Sequence, residues 1–263
     1  MRQQAVVGPA GAEAYLRWAE LPGEGEGVRV FLHGLGASAT FDCSEVAAHP
    51  ALRATGHRSL LVDLLGFGWS DRPAHFGYTL EEHADTVAAV LEAEGIRGAE
   101  LVGHSMGGAV ALALAARRPE LVGALVLAEA NLRAGGGEWS RKIAAWPEEE
   151  FGTRGMAEFT AGESDPGYLA TLRAADPLAI HRSAVGLVRG ISPGLGQVFA
   201  EYDGPKAFLV GESSRPYPEE ADAADAGAHI LTVPAAGHPM PVENPDGFAR
   251  AVAEASARAS AAA

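Results

Sequence analysis

The chain has 263 residues, 48% of them apolar and 21% charged, with a formal net charge of -14. That is room for one large α/β domain with an insertion or for two small ones, and so acidic a balance, without any Lys/Arg cluster, excludes a nucleic-acid platform. The single cysteine, Cys43, excludes an intramolecular disulfide and points to a reducing compartment, the cytoplasm, while no apolar run is long enough to cross a membrane.

In chain order, Met1 to Pro9 lacks the apolar core of a signal peptide. Residues 5–7 and 12–19 are predicted as short strands, with Pro22 to Gly27 as a glycine-rich hairpin connection. Val28 to Leu32 is a strand that runs into His33-Gly34-Leu35-Gly36. A helix is predicted over Ser44 to Thr55, then a buried-type strand at Ser59 to Asp63, followed by the loop Leu64 to Pro73. Thr79 and Glu82 form a capping box for a helix that runs to about Glu94, where Gly95 stops it.

The stretch that organises the rest is Leu101-Val102-Gly103-His104-Ser105-Met106-Gly107-Gly108, which flows into eight helix-favouring residues, Ala109 to Ala116. It is predicted as strand, tight corner and helix. In a chain with 33 glycines a G-x-S-x-G pattern alone is weak, so the context carries the reading. A serine at such a corner is strained, with its hydroxyl pushed into the open, and side chains two positions either side would collide. Gly103 and Gly107 answer that need. The helix then aims its free N–H groups at the spot where an oxyanion would form.

Gly123 to Ala128 is a further strand, after which the rhythm breaks. Residues 131–200 hold short helical patches and the aromatics Trp139, Trp146, Phe151, Phe159 and Tyr168, a composition expected of a helical cap. Residues 1–130 and 201–263 are then the core. The alternation resumes with the strand Ala207 to Gly211, a helix over Pro218 to Ala226 and the strand His229 to Val233. The loop Pro234 to Val242 and a helix from Asn244 to about Arg258 follow, before an Ala-rich tail expected to fray. Alternating strands and helices imply a mostly parallel sheet whose active residues lie at the strands' carboxyl ends, which selects His33, Ser105, Glu129, Glu212 and His238.

Four motifs in sequence order carry a resemblance. They are His33-Gly34-Leu35-Gly36, Asp63 with Gly66-Phe67-Gly68-Trp69-Ser70, Gly103-His104-Ser105-Met106-Gly107, and Gly237-His238. Together they resemble the α/β-hydrolase superfamily over nearly the whole chain. The resemblance implies an eight-stranded sheet with helices on both faces and a helical cap, Ser105 as nucleophile, and His238 as general base. It also implies an oxyanion hole made by the backbone N–H groups of Leu35 and Met106. His104 is expected to pack, and His33 to brace the oxyanion loop. His49, His57, His75, His83, His181 and His229 show no ligand spacing, so neither metal nor cofactor is expected.

The acid departs from the commoner family pattern, because Ser214 stands where an aspartate would. Glu129, at the end of the strand after the nucleophile strand, is the candidate, with Glu212, Asp222 and Asp225 as alternatives. In this respect the chain is similar to haloalkane dehalogenases and zearalenone-type lactone hydrolases. A serine nucleophile favours esters, lactones and thioesters over halides or epoxides. The expected activity is hydrolysis of a small to medium apolar ester or lactone, with Trp139, Trp146 and Phe159 as candidate substrate contacts. Carbon–carbon bond hydrolysis, cofactor-free haloperoxidation and a ligand-binding receptor remain alternatives, and the oligomeric state is left open.

Overall fold

Strands such as Val28–Leu32 and Val122–Ala128 are apolar at nearly every position because both faces of their sheet are covered. The two-residue period of a strand sorts them: Val30, Leu32, Leu101, Leu125 and Leu127 enter one buried core, while Phe31, Val102, Val126 and Ala128 enter the other. The computed structural model describes residues 1–7 and 13–262. Its strands are β1 (Arg2–Val7), β2 (Ala14–Leu21), β3 (Val28–Leu32), β4 (Arg58–Asp63), β5 (Ala99–His104), β6 (Val122–Ala128), β7 (Lys206–Gly211) and β8 (His229–Val233). They form one eight-stranded sheet in the order β1-β2-β4-β3-β5-β6-β7-β8. β2 runs antiparallel to β1 and β4, and all other pairs are parallel.

The register places the candidate site. In the β3–β5 pair Arg29 lies opposite Glu100, and the two side chains form a buried ion pair, 0% and 5% exposed, at the base of the strands that lead to Gly34 and Ser105. Removing one partner strands a charge in the core, so Glu100→Ala is expected to cost about 3–5 kcal/mol in urea unfolding. An unchanged midpoint would contradict that. Thr79 and Glu82 exchange the reciprocal capping bonds (3.1 and 3.0 Å) that start the helix Leu80–Ala93, and Gly95 ends it at φ 66°.

Four local expectations are corrected. Pro22 to Gly27 is not a hairpin: β2 and β3 flank β4 rather than each other, and the turn crosses the start of β4 with Gly25 N–H donating to Gly56 O (2.9 Å). The helix predicted over Ser44 to Thr55 is broken into Ser44–Ala48 and Pro50–Arg53. His49 turns extended (φ -61°, ψ 136°) because the proline ring bars a helical residue before it. A short helix, Met240–Glu243, interrupts the loop after β8, and the last helix, Pro245–Ala262, continues well past Arg258. Alanine's helix propensity accounts for that extension. Residue 12 of the second predicted strand and the last residue of the tail lie outside the described residues.

Between β6 and β7 run the helices Glu138–Ala144, Met156–Ala161, Pro166–Ala174, Pro177–Arg189 and Leu195–Glu201. Asp165 and Asp176 cap two of them by accepting from Tyr168 N–H (2.6 Å) and Leu178 N–H (2.8 Å), each with a proline in the first turn. This segment seats on the loops that follow β3 and β4: Tyr168 bonds Leu35, Asp176 bonds Gly66, and Arg72 bonds Ala174. Among the described residues no helix is long and apolar enough to cross a membrane.

Candidate active site

At the end of β5 the backbone turns through Ser105 at φ 52°, ψ -118°, a conformation non-glycine residues adopt only when their surroundings impose it. Two close approaches impose it. A Cβ on Gly103 would stand 2.6 Å from Gly108 Cα, and one on Gly107 would overlap the carbonyl of Leu32. Backbone cannot yield as a side chain can, so Gly107→Ala is expected to cost about 3 kcal/mol or more, or to prevent folding. Thermal unfolding of the purified variant checks it, and a wild-type midpoint would contradict the steric argument. Ser105 remains partly exposed, and Met106 begins the helix Met106–Arg117, so its N–H has no partner within the helix.

His33 shapes the neighbouring loop. Leu64 N–H donates to its Nε2 (3.0 Å), which requires the proton on Nδ1, and that proton is donated to Gly34 O (2.8 Å). Burial, only partly offset by Asp63, lowers the pKa of His33 and keeps it neutral. Since Gly34 O and Leu35 N–H share one peptide group, this bond sets the direction in which Leu35 N–H points. Ala37 N–H donates to the same carbonyl (3.2 Å).

Glu129 leaves β6 at φ 43° and is 1% exposed. Its Oε2 lies 2.7 Å from His238 Nδ1, and its Oε1 accepts from Gly211 N–H (2.9 Å). Burial would raise this carboxyl, but hydrogen bonds from His238 and Ser214, the nearby His238 charge and the Gly211 N–H outweigh it, and its pKa is lowered. An ionised Glu129 accepts a hydrogen bond from Nδ1–H, which leaves Nε2 as the ring nitrogen without a proton whenever the imidazole is neutral. The His238 side chain is 48% exposed. The stretch leading into it is held by two carboxylates: Glu212 accepts from Ala235 N–H (2.8 Å) and Glu243 from Gly237 N–H (2.6 Å).

Glu212 is thus a brace of the loop rather than a partner of the imidazole. Asp222 is engaged by Arg133 (2.6 Å), and Asp225 is exposed at a helix end. His104 donates from Nε2 to the carbonyl of His238 (2.7 Å), with ring centroids 4.9 Å apart. Loss of hydration, then the proximity of His238, lowers its pKa to about 3, so His104 carries no positive charge beside His238. Sequence reasoning missed this tie, and missed Tyr217, whose hydroxyl donates to Glu129 O (2.9 Å). Neither bond has a local signal, since both partners are brought together only by the fold.

Trp139, Trp146 and Phe159 come together, but around a cavity of their own. It measures about 440 Å³, Ile143, Phe151, Lys142 and Glu158 also line it, and Ser105, Glu129, His238, Leu35 and Met106 do not. Trp139 and Phe159 meet edge to face at 5.1 Å, and Trp139 remains 48% exposed. Cys43 is buried and its thiol is pushed up by burial, as suits an unreactive core residue. Among the described residues no three His, Cys, Asp or Glu side chains converge closely enough to hold a metal ion.

A family profile described as the alpha/beta hydrolase fold matches residues 30–158, from β3 into the helical segment. The chain has the α/β-hydrolase fold. This α/β-hydrolase-fold chain is 43% identical over 98 residues to a 2-hydroxymuconate semialdehyde hydrolase of Pseudomonas sp. (strain CF600), covering 37% of this chain and 34% of that protein. It is 36% identical over 186 residues to an esterase of Mycobacterium tuberculosis, covering 69% and 55%. The chain therefore spans about a third to just over half the length of these two relatives. A thermophilic esterase from Thermogutta terrifontis shares the fold, with a TM-score of 0.78 at 22% identity over 97% of each chain.

Proposed function

We propose that this chain is a serine hydrolase that cleaves a small to medium apolar carboxylic ester or lactone through an acyl-enzyme intermediate. Ser105 is the nucleophile, His238 the general base and Glu129 its orienting acid, and no cofactor enters. The observation that supports this reading most is the 2.7 Å Glu129–His238 bond, with His238 tied in turn to His104, the residue before the strained turn at Ser105. In the scheme, His238 Nε2 takes the Ser105 proton as Oγ attacks the carbonyl carbon. The tetrahedral oxyanion is met by the N–H groups of Leu35 and Met106. His238 then protonates the leaving alcohol, and activates the water that frees the acid. Residues 131–200 act as a cap on a core of residues 1–130 and 201–263, and the lone buried thiol suits the cytoplasm.

The test is a screen of p-nitrophenyl esters and simple lactones followed across pH. Only a neutral imidazole accepts a proton, so kcat/KM is expected to rise with pH, while Glu129, held below the ordinary carboxylate range, stays ionised throughout. A flat profile would contradict the role given to His238. The similarity to a 2-hydroxymuconate semialdehyde hydrolase favours a second reading, carbon–carbon bond hydrolysis on the same three residues. A vinylogous diketone cleaved much faster than any ester would select it.

A further inference from the structure

The loop that carries Leu35 is held from two sides, and the second side belongs to the helical segment. Gly34 O takes bonds from His33 and Ala37, as described above, whereas Leu35 O accepts from the hydroxyl of Tyr168 at 2.8 Å. A carbonyl can only accept, so the phenol must donate, and burial raises its pKa and keeps it protonated. The approach is close. A Cβ on Gly36 would lie 3.0 Å from the Tyr168 hydroxyl and would overlap the Leu172 side chain one helical turn on. Tyr168 is itself fixed, since its N–H is held by Asp165 and its carbonyl accepts from Thr171 (2.9 Å). The far end of the same helix is anchored through Arg72 and Ala174.

We propose that Tyr168 is a positioning residue that couples the seating of helix Pro166–Ala174 to the oxyanion donor at Leu35. With the helix seated, both peptide groups flanking the Leu35 Cα are pinned, and the N–H has one direction. With it lifted, the Leu35–Gly36 peptide at the centre of the Gly34–Ala37 turn is free to rotate, Ala37 N–H is drawn off Gly34 O, and the Gly34–Leu35 peptide that carries the donor N–H keeps only its bond to His33. The oxyanion donor is then firmly set only when the helix is seated on the loop. The inference rests on the serine-hydrolase reading, because it assigns Leu35 N–H to the oxyanion.

Tyr168→Phe tests it, since the ring and its packing stay and only the donor goes. For p-nitrophenyl acetate, kcat is expected to fall about tenfold with KM held within about twofold, because the lost bond matters to the oxyanion and not to ground-state binding. Affinity for phenylboronic acid, whose tetrahedral adduct presents an oxygen to the same donors, falls by a similar factor. Amide exchange over residues 34–37 quickens, while the unfolding midpoint moves by no more than about 2 °C. Unchanged kcat with unchanged exchange would overturn the proposal, as would a rise in KM alone, which would make Tyr168 a substrate contact. Should the wild type neither turn over esters nor bind the boronate, the hydrolase reading fails. Exchange at 34–37 then decides the coupling alone, with no change in Tyr168→Phe overturning it.

Discussion

Replacing Ser105 by alanine is expected to reduce turnover of p-nitrophenyl acetate by more than about 10⁴-fold, with circular dichroism and the unfolding midpoint unchanged. The size follows from the chemistry. Without Oγ there is no covalent intermediate, and what remains is a hole of N–H donors that can polarise a carbonyl but cannot attack it. His238→Ala should fall by a comparable factor, and the double variant should be no worse than either single one, because a nucleophile without its base and a base without its nucleophile are equally idle. Residual activity in Ser105→Ala within a hundredfold of wild type would place the nucleophile elsewhere. Alanine at 105 also relaxes nothing that holds the fold, since the strain at φ 52° is imposed by the neighbouring glycine contacts and not by the hydroxyl.

The second large effect separates two glutamates that lie close to one loop. Glu129→Gln is expected to lower kcat by about 10²- to 10⁴-fold. The amide removes the charge that steadies the imidazolium, and it can present its NH₂ to Nδ1 and so reverse the tautomer. Glu212→Gln should stay within about threefold of wild type, since the Ala235 N–H that Glu212 accepts can be met as well by an amide oxygen. Equal losses would leave no distinction between orienting acid and loop brace, contrary to the geometry. A loss confined to Glu212→Gln would transfer the acid to that residue. Both variants are read by kcat at the pH optimum of the wild type.

Much of this arrangement was legible in the residues because it is local. The corner at Ser105 needs Gly103 and Gly107 for reasons that span four positions, and the capping box of Thr79 and Glu82 spans three, so each leaves a spacing on the page. The break at His49–Pro50 is equally local, since proline disfavours helix at the preceding residue. The β2-to-β3 crossing was not legible. Nothing in Pro22 to Gly27 tells whether β3 pairs with β2 or with the far side of β4, because register depends on a strand that comes later in the chain. The ties from His104 to His238, Tyr217 to Glu129 and Tyr168 to Leu35 join residues 88 to 134 positions apart, and side chains of those types occur throughout any such sequence. The aromatics of residues 131–200 show the same limit in reverse. Composition marked Trp139, Trp146 and Phe159 as a cluster, but only packing decides which cavity a cluster lines.

The measurement that meets the central claim most directly is covalent labelling with a fluorophosphonate, followed by intact mass and peptide mapping. A single adduct on the peptide that carries Ser105, forming more slowly as pH falls and far more slowly in Glu129→Gln, is the predicted result. A protein that hydrolyses esters yet carries no adduct on Ser105, or carries it on another residue, would contradict the account.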